Sequence, residues 1–561
     1  MASIIAENIT SPLGFTTEET YKAILSSKSA LQLHQSCDVI PFKHNSALFS
    51  AQQTIDLTIE GLTRFESLAI KSIAASLANV NIPLDKRTIL VLCSTKGNVE
   101  LLGRESINHD EISLGASAQR ICSYLGIIQT PIVVCNACIS GVSGLVLGNR
   151  LVDSGMYEYV IVCGVDVQNP FVISGFQSLK ALSDENCRPF DIERNGLNLG
   201  EAAATIILGH DSSLWQICRC AINNDAHHIT NPSPSAEGCV FAIQRVLDGV
   251  DVDSLAMINA HGTATMFNDQ MESKAISRSG LLPIPMNALK GYFGHTMGAA
   301  GVIETIVTMK ALEEGIVIGT KGFKELGVSG CVNMSSEHRR TNKTDFLKII
   351  SGFGGGNGAM LLTQRQRKAE SVVRTAKANV MHRVKLTPIS AEIDGTEIIV
   401  DDKSQRNITN LYKRYVTDYP KFYKMDPLAR LGLVATEMLL SVEKHQALPN
   451  DRRGIVFFNK YGSAHADHEF LKTISFADNF YPSPSLFVYT LPNIVNGEIA
   501  LRNHYHGETA FYVLPQKDDK LMKEVIDATF EGSCLDTLIA GWLEYIDDDN
   551  FEADLCIINN R

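Results

Sequence analysis

The sequence contains no uninterrupted apolar stretch close to the ~20 residues that a membrane-spanning helix needs, so we expect no membrane span. Positive charge is also scarce, because the net charge is −12 and no run of Lys and Arg exceeds two residues. A chain of this charge is not expected to bind nucleic acid. The first residues, MASIIAENITSPLG, lack the basic and long apolar segments of a signal peptide. These absences predict a cytoplasmic protein.

The cysteines follow no pairing pattern. There are 13, an odd number scattered along the chain, which favours free thiols in a reducing compartment over a disulfide framework. Cys135 and Cys138 form a C-x-x-C arrangement, and no second Cys/His pair at zinc spacing follows it. We therefore expect no metal site.

Length and composition indicate several globular units. The 561 residues are too many for one ordinary domain, and typical domain sizes predict roughly three to four domain-sized units. With 45% hydrophobic and 20% charged residues, the chain can bury a large core. Residues 1–365 carry continuous α/β patterning, and the polar composition that follows predicts a linker over 366–383. Globular patterning resumes in a second unit, residues 384–561.

A strand–helix–strand pattern is clear in the middle of the first unit. Residues 131–135 and 159–164 are apolar runs of strand length, and residues 141–153 between them have helical periodicity. Two buried strands joined by a helix predict a right-handed parallel unit.

Cys138 is the strongest candidate nucleophile. It lies between a predicted buried strand and the start of a predicted helix, where a turn projects a side chain at the top of a sheet. The N–H groups and the dipole of a helix start stabilise a thiolate, which predicts activation of Cys138 without a partner base. The alternative is a small buried hydrophobic residue, the role that fits Cys135 in the strand.

Two histidines and one glycine-rich turn are the further candidates. His261 follows an apolar run and precedes Gly-Thr, and His295 also lies next to glycine, which allows a substrate to approach closely. Taken alone, each histidine is better explained as a satisfied polar residue. The turn GFGGGN at residues 352–357 lacks the Lys-Ser/Thr of a phosphate-binding loop.

These motifs together resemble the β-ketoacyl-[acyl-carrier-protein] synthases, decarboxylating condensing enzymes of the thiolase superfamily. The resemblance spans the whole first unit and rests on six ordered motifs. They are SPLG at 11–14, NACISG at 136–141, RPFDIERNG at 188–196 with GE at 200–201, the two histidine motifs at 259–269 and 290–301, and GFGGGN at 352–357.

The resemblance implies a role for each catalytic residue. Cys138 would accept the acyl group of a thioester. His261 and His295 would donate hydrogen bonds to the carbonyl of a malonyl thioester while it loses carbon dioxide, and this donation stabilises the developing enolate. Two histidines favour this decarboxylating chemistry over that of a starter synthase. The backbone N–H groups of Cys138 and Phe353 would form the oxyanion hole.

The resemblance also implies supporting residues. Lys290 and Glu304 match the polar pair that orients the second histidine, Phe353 matches the gate of the acyl channel, and Asn357 closes the glycine-rich motif. Departures from the usual pattern leave the identity of the substrate open. They are Ile139, Ala264, Met266, Phe267 and Gly356.

Fold, partners and cofactors follow from the same resemblance. The implied fold is α/β, a thiolase-like layered αβαβα arrangement with mixed five-stranded sheets. Substrates would be acyl and malonyl thioesters on the phosphopantetheine of an acyl carrier protein, with no other cofactor. A homodimer is implied, with the strand at residues 159–164 pairing across the two-fold axis.

The second unit is interpreted as a degraded copy of the first half of the first unit. Three segments match in order, with 65–70 resembling 425–430, 87–92 resembling 453–458, and 159–164 resembling 537–541. Lys517 falls where Cys138 would be, and neither histidine motif follows it. This unit is therefore predicted to be a non-catalytic, half-thiolase-like α/β domain that docks on a ketosynthase unit.

The pathway stays open at this stage. The extra unit resembles the condensing enzymes of dialkylresorcinol and flexirubin-type pigment clusters, which suggests secondary metabolism of lipids or pigments. The alternatives are ring-forming condensation of two acyl chains and housekeeping fatty-acid elongation. A non-catalytic chain-length factor is the competing class, and the presence of Cys138 counts against it for the first unit.

Overall fold

Three successive segments of the chain each form a five-stranded mixed sheet, and the three sheets have the same topology. The computed structural model describes residues 1–104, 109–364, 378–399, 406–443, 449–475 and 480–560. The segments are repeat 1 (residues 3–209), repeat 2 (215–363) and repeat 3 (378–560). Among the described residues, no helix is both long and apolar enough to cross a bilayer.

The elements of the three repeats have the following bounds. Repeat 1 contains β1 (Ser3–Thr10), α1 (Thr17–Leu25), β2 (Gln32–His34), β3 (His44–Ala47), α2 (Ala51–Leu57), α3 (Arg64–Leu77), β4 (Thr88–Cys93), α4 (His109–Ile112), α5 (Leu114–Leu125), β5 (Ile132–Val134), α6 (Ser140–Asp153), β6 (Tyr159–Asp166), α7 (Pro170–Ser178), β7 (Leu199–Gly200) and β8 (Ala202–Gly209). Repeat 2 contains β9 (Trp215–Asn224), α8 (Glu237–Leu247), β10 (Leu255–Asn259), α9 (Met266–Arg278), β11 (Met286–Asn287), α10 (Lys290–Phe293), α11 (Ala300–Glu313), β12 (Ile316–Val317), β13 (Arg339–Arg340), β14 (Asp345–Gly352) and β15 (Gly356–Thr363). Repeat 3 contains β16 (Ala378–Leu386), β17 (Ala391–Ile393), β18 (Thr396–Glu397), α12 (Arg406–Tyr415), α13 (Pro427–Val442), β19 (Arg453–Asn459), α14 (Ala464–Leu471), α15 (Pro484–Tyr489), α16 (Ile494–Asn503), β20 (Thr509–Val513), α17 (Asp519–Glu531), β21 (Thr537–Asp547) and β22 (Asn550–Asn560).

The three sheets share one strand order. It is β1-β8-β6-β4-β5 in repeat 1, β9-β15-β14-β10-β11 in repeat 2 and β16-β22-β21-β19-β20 in repeat 3. In each sheet the last three strands are parallel and the second strand is antiparallel to both neighbours. The parallel strands are buried apolar runs, as strands covered on both faces must be. The predicted mixed five-stranded sheets are confirmed.

Two buried helices pack together between the sheets of repeats 1 and 2. Every residue of α6 except Asp153 is buried, and so is nearly all of α11. The helices approach closely because Gly141 and Gly301 face each other's backbones. A Cβ at Gly141 would lie 2.8 Å from the Gly298 carbonyl oxygen, and one at Gly301 would lie 2.6 Å from the Val142 nitrogen. Both helices begin at the same end of their sheets. The turn that holds Cys138 before α6 and the segment that holds His295 before α11 therefore lie together.

Repeat 3 is joined to repeat 1 through their edge strands. Strands β5 and β20 pair antiparallel, with Val134 opposite Tyr512 and Val133 opposite Val513. The predicted pairing of residues 159–164 across a dimer axis is therefore wrong. Strand β6 lies inside the sheet between β4 and β8 because its apolar side chains are covered by helices on both faces. The predicted docking of the second unit occurs within one chain.

Two features adapt repeat 3 to its position. Helix α17 occupies the place of α6, yet its outward face carries exposed charged side chains such as Lys520 and Lys523. The predicted linker of residues 366–383 is too long at its C-terminal end. Strand β16 begins at Ala378 and pairs with β22, and residues 366–377 lie outside the described part of the chain.

Candidate active site

Cys138 lies in the turn between β5 and α6. The turn Ala137–Ile139 is a single 3-10 turn, and Ala137 has a left-handed backbone with φ of +50°. The side chain of Asn136 fixes the turn to repeat 3, since its Oδ1 accepts the N–H of Phe511 at 2.7 Å. The sharp turn directs the Cys138 side chain away from the sheet, in the position that the sequence predicts for a nucleophile.

Repeat 2 brings both histidines to Cys138. His295 Nε2 lies 3.0 Å from Cys138 Sγ, and the rings of His261 and His295 are 5.1 Å apart and nearly perpendicular. Glu272 fixes the His261 loop because its carboxylate accepts the N–H groups of His261 and Gly262, each at 2.7 Å. The structure therefore brings the three predicted catalytic residues together.

Both imidazoles are held neutral by their surroundings. Burial lowers the pKa of His261 and of His295 well below the usual value, and the positive charges of Lys290 and Lys348 act in the same direction. Lys290 Nζ lies 3.2 Å from His261 Nδ1. Because an ammonium can only donate, Nδ1 accepts and the ring proton is on Nε2. His261 can therefore donate a hydrogen bond from Nε2 while remaining uncharged.

A buried cluster of charges lies behind the histidines. Glu304 on α11 binds Lys290 at 2.7 Å through Oε1 and Lys348 at 2.5 Å through Oε2, and all three side chains are at most 1% exposed. Lys290 and Glu304 lie together as predicted, but Lys290 contacts the first histidine, His261, rather than His295, which the pair was predicted to orient. Lys348 was missed. Its signal in the sequence is a lysine inside the otherwise apolar strand β14. Two lysines for one carboxylate leave positive charge beside the histidines.

The surroundings of the Cys138 thiol act in opposite directions on its pKa. Burial raises the pKa to about 12, while the charge of Lys290 and the backbone N–H groups of Cys138 and Phe353 lower it. The start of α6 also favours the thiolate. The start of α6 is therefore not the only feature that activates Cys138. The His295 imidazole contacts Sγ and can accept the thiol proton.

The three catalytic candidates face a cavity of about 320 Å³, here called the entrance cavity. Its wall includes the glycine-rich turn with Phe353, and Met266 and Phe267 line it while being more than half exposed. Those two residues depart from the usual motif, and their position indicates that they form an apolar rim at the mouth.

A second, smaller cavity lies on the other side of Phe353. This inner cavity of about 20 Å³ is lined by Cys138, Phe353 and Phe176 from repeats 1 and 2, and by Phe487 and Leu491 from repeat 3. The rings of Phe176 and Phe353 stack with centroids 6.2 Å apart. Phe353 therefore separates the two cavities, which is the location expected of a gate.

The glycine-rich turn is held by hydrogen bonds from two directions. Asn357, predicted as a supporting residue, donates to Asp225 Oδ1 at 2.9 Å and accepts from Ser351 Oγ at 2.7 Å. Asn493 of repeat 3 donates to the Phe353 carbonyl oxygen at 2.9 Å. Asn357 therefore supports the turn from within repeat 2, and repeat 3 contacts the turn that carries Phe353.

One of the three repeats carries a nucleophile. In repeat 2 the equivalent 3-10 turn, Met297–Ala299, has Gly298 at the position of Cys138, after a left-handed Met297 with φ of +47°. In repeat 3, Phe458 pairs with Tyr512 as Leu92 pairs with Val133 in repeat 1, so the match of 87–92 with 453–458 makes Lys517 equivalent to Cys138. Lys517 forms ion pairs with Glu552 at 2.7 Å and Asp554 at 3.4 Å, as a surface residue would.

The same three side chains are the group that could hold a metal ion. The ligand atoms of Cys138, His261 and His295 all lie within 4.8 Å of one another. One thiolate and two imidazoles suit a soft ion such as Zn²⁺. An ion bound there would occupy the sulfur that the predicted chemistry needs.

Comparisons with known proteins agree with this fold. Residues 101–213 match the family model of the β-ketoacyl synthase N-terminal domain, and residues 214–324 match that of the C-terminal domain. The chain is 30% identical over 254 residues to the tetracenomycin polyketide synthase ketoacyl synthase alpha subunit of Streptomyces glaucescens, covering 41% of this chain and 59% of that one. It is 25% identical over 403 residues to the 3-oxoacyl-[acyl-carrier-protein] synthase 2 of Vibrio cholerae, covering 63% and 96%.

Solved structures with the same fold include the PfaC keto synthase–chain length factor. The TM-score is 0.80 at 13% identity, and the match covers 100% of this chain and 78% of that one. The ketosynthase ApeO in complex with its chain length factor ApeC, from Xenorhabdus doucetiae, gives a TM-score of 0.56 at 22% identity, covering 64% and 97%.

Fold and site together give a thiolase-like α/β architecture with a Cys-His-His centre. Over residues 101–324 the chain is similar to both domains of the β-ketoacyl synthases. It spans about three fifths of the length of the first curated relatives that it matches.

Proposed function

We propose that the protein is a ketosynthase that catalyses decarboxylative Claisen condensation. An acyl group carried on Cys138 would be joined to a malonyl or β-ketoacyl thioester on an acyl carrier protein. The observation that carries this proposal is the contact of Cys138 Sγ with His295, at 3.0 Å, beside the second imidazole of His261. A thioester needs a soft nucleophile and no metal, and this arrangement supplies one.

The first half-reaction transfers the acyl group. The thiol proton of Cys138 passes to His295, and the sulfur attacks the carbonyl of the acyl thioester. The oxyanion accepts hydrogen bonds from the backbone N–H groups of Cys138 and Phe353, which already face the sulfur. Collapse of the intermediate breaks the bond to the carrier sulfur. The carrier leaves as a thiol with the proton from His295, and the acyl group remains on Cys138.

The second half-reaction forms the carbon–carbon bond. The malonyl carboxylate leaves as carbon dioxide, and its bonding electrons form the enolate of the carrier thioester. The Nε2–H group of neutral His261 stabilises the enolate oxygen, typically by a few kcal/mol, and His295 adds a second donor when its single ring proton is on Nε2 and not on Nδ1. The enolate carbon attacks the acyl carbonyl on Cys138. Release of the Cys138 sulfur, which regains a proton, leaves the β-ketoacyl thioester on the carrier.

The division of labour between the repeats is part of the proposal. Repeats 1 and 2, residues 1–365, form the ketosynthase domain. Repeat 3, residues 378–560, is non-catalytic, which the salt-bridged Lys517 at the nucleophile position supports. Repeat 3 would limit the acyl chain, because Phe487 and Leu491 line the inner cavity. It would thereby act within one chain as a chain length factor acts in the complexes named above.

The setting of the reaction is also inferred. The thirteen cysteines are free thiols, which fits the reducing cytoplasm. Secondary metabolism of lipids or pigments is favoured over housekeeping elongation, because a fused non-catalytic repeat adds a wall to the acyl site. Product mass separates the two chemistries, since simple elongation gives a linear β-keto thioester and condensation of two acyl chains gives a ring.

Acylation of Cys138 is the first test. The full-length protein is incubated with acyl pantetheine thioesters, and its intact mass is measured. We expect one acyl adduct on the wild-type protein and none on Cys138→Ala, with Cys135→Ala as the matched control that retains the adduct. An adduct that persists on Cys138→Ala would contradict the assignment.

A further inference from the structure

A buried ion pair joins repeat 1 to repeat 3 beside the inner cavity. Lys96 Nζ lies 3.0 Å from Asp467 Oδ1, and the two side chains are 4% and 18% exposed. Lys96 also donates to the Thr490 carbonyl oxygen, and the Phe171 ring lies 5.4 Å from its Nζ. Asp467 in addition accepts from Ser463 Oγ at 3.3 Å. Both charges are thus held away from bulk water.

This ion pair lies between two cavities. Lys96 and Thr95 line the inner cavity that starts at Cys138. They also line a third cavity of about 40 Å³, the interface cavity, whose wall includes Asp467 from repeat 3. An acyl chain that extends from Cys138 through the inner cavity would therefore meet Lys96 next, with Asp467 behind it.

The walls change from apolar to polar along this path. Beyond Cys138, the inner cavity is lined largely by apolar side chains, including Val172, Phe487 and Leu491. The interface cavity adds hydroxyl, carboxylate and imidazole side chains, including Ser463 and His468. A plain alkyl end would bury no matching polar group there, whereas a polar end would find both donors and acceptors.

The two opposite charges of the ion pair favour some polar ends of an acyl chain over others. A carboxylate end would be attracted by Lys96 and repelled by Asp467, and an ammonium end the reverse. A hydroxyl group can accept from Lys96 Nζ and donate to a carboxylate oxygen of Asp467, so it satisfies both members. Hydrogen bonds to charged groups in a site shielded from water are the stronger ones.

We infer that the acyl group carried by Cys138 ends in a hydroxyl group, and that Lys96 and Asp467 recognise it. This inference rests on the proposed acyl transfer to Cys138 and names the substrate class of that site. Repeat 3 would then contribute a specificity residue, Asp467, in addition to an apolar wall. The alternative role of the ion pair is a clamp between the repeats with no part in selection.

A second buried ion pair separates these two roles. Arg150 and Glu508 also join repeat 1 to repeat 3, with bonds of 2.7 and 2.8 Å and side chains that are 3% exposed. They are not among the residues that line the inner or the interface cavity. Two double variants, each of which replaces one ion pair by apolar residues, therefore distinguish recognition of the acyl end from a structural link between the repeats.

The test measures the acylation rate of the full-length protein by intact mass. Pantetheine thioesters of straight acyl chains from four to ten carbons are compared with their ω-hydroxy analogues of equal length. For the wild-type protein we expect the ω-hydroxy chain to react at least about tenfold faster at the best length. Lys96→Met/Asp467→Leu should lose this preference, and Arg150→Met/Glu508→Leu should keep it, even if both lower the absolute rate.

The outcomes distinguish the inference from the function on which it rests. Equal rates for hydroxyl and methyl ends at every length in the wild-type protein would overturn the inference, and so would a preference that survives in Lys96→Met/Asp467→Leu. Absence of any adduct on Cys138 with every thioester would instead overturn the proposed acyl transfer.

Discussion

Val134 of repeat 1 lies opposite Tyr512 of repeat 3, and Val133 lies opposite Val513, so two edge strands of the same chain pair antiparallel. A two-fold interface between identical subunits pairs edge strands in this antiparallel manner. Here the two halves of the interface belong to one chain. Strand β5 therefore has no free edge at which a second copy could pair.

Removal of repeat 3 is expected to expose this interface. We expect the full-length protein to be a monomer of about 61 kDa by light scattering at micromolar concentration, since its mass is 61.4 kDa. A protein that ends at Thr363 should aggregate or dimerise, because β5 gains a free edge and Arg150 loses Glu508.

The control for this prediction is Lys517→Ala in the full chain. Lys517 is paired on the surface, so its removal should change neither oligomeric state nor turnover. A truncated protein that is soluble, monomeric and unchanged in product profile would show that repeat 3 has no structural or selective role.

The sequence predicted the repeat but not the partner strand. Three matched segments identified the copy in residues 384–561, because the β4, β6 and α3 patterns survive in β19, β21 and α13. Strand β6 was predicted to pair across a dimer because the family resemblance implies such a pairing and the strand is apolar. An interior strand has the same apolar pattern as a covered edge strand, so the pattern alone could not separate the two.

Some residues of the site could be predicted from the sequence and others could not. Cys138, His261 and His295 were found because each lies in a motif at an element end, where a turn or loop exposes the side chain. Lys348 was missed because a lysine in a strand usually points to solvent, and only the packing of β14 against α11 buries it. The contribution of Phe487 depends on contacts between distant segments, which no local motif records.

The two histidines are expected to differ in their roles. His295→Ala should slow both acylation of Cys138 and decarboxylation, because His295 contacts the sulfur. His261→Ala should leave acylation largely intact and lower carbon dioxide release from a malonyl thioester by about 10²- to 10³-fold, the usual cost of one lost oxyanion donor. Intact mass and isotope-labelled carbon dioxide measure the two steps separately. Equal loss of acylation in both variants would contradict this division.

Lys348 is expected to set the pH range of decarboxylation. Burial, the charge of Lys290 and the charge of Lys348 together keep the pKa of His261 and of His295 below the usual value, so the wild-type rate should stay flat as the pH falls through 6.5, the pKa of an ordinary histidine. Lys348→Met removes a positive charge and raises both pKa values, which protonates the imidazoles at higher pH. The acid limb of the rate should therefore move to higher pH.

Lys348→Arg is the control for this prediction, because it keeps the charge next to Glu304 and should move the limb little. A purely structural role for Lys348 would lower the rate at every pH without moving the limb. That result would remove Lys348 from the account of the site.

Phe487 is expected to limit the length of the acyl chain. Phe487→Ala removes a ring from the wall of the inner cavity, so the best substrate should shift to longer chains. Phe470→Ala is the matched control, because its ring packs 5.2 Å from that of Phe487 and does not line the inner cavity. Each variant should lose about 3–5 kcal/mol of stability. If the preferred acyl chain length shifts equally in both variants, the effect is due to altered packing and not to the wall of the inner cavity.

The central claim is decarboxylative condensation at Cys138. The most direct measurement mixes acylated full-length protein with a malonyl thioester labelled at the free carboxyl carbon. The gas and the thioester products are then analysed by mass spectrometry. We expect labelled carbon dioxide and an unlabelled β-ketoacyl thioester longer by two carbons, in equal amounts, with neither formed by Cys138→Ala. Carbon dioxide without a lengthened product, or a lengthened product that forms equally with Cys138→Ala, would contradict it.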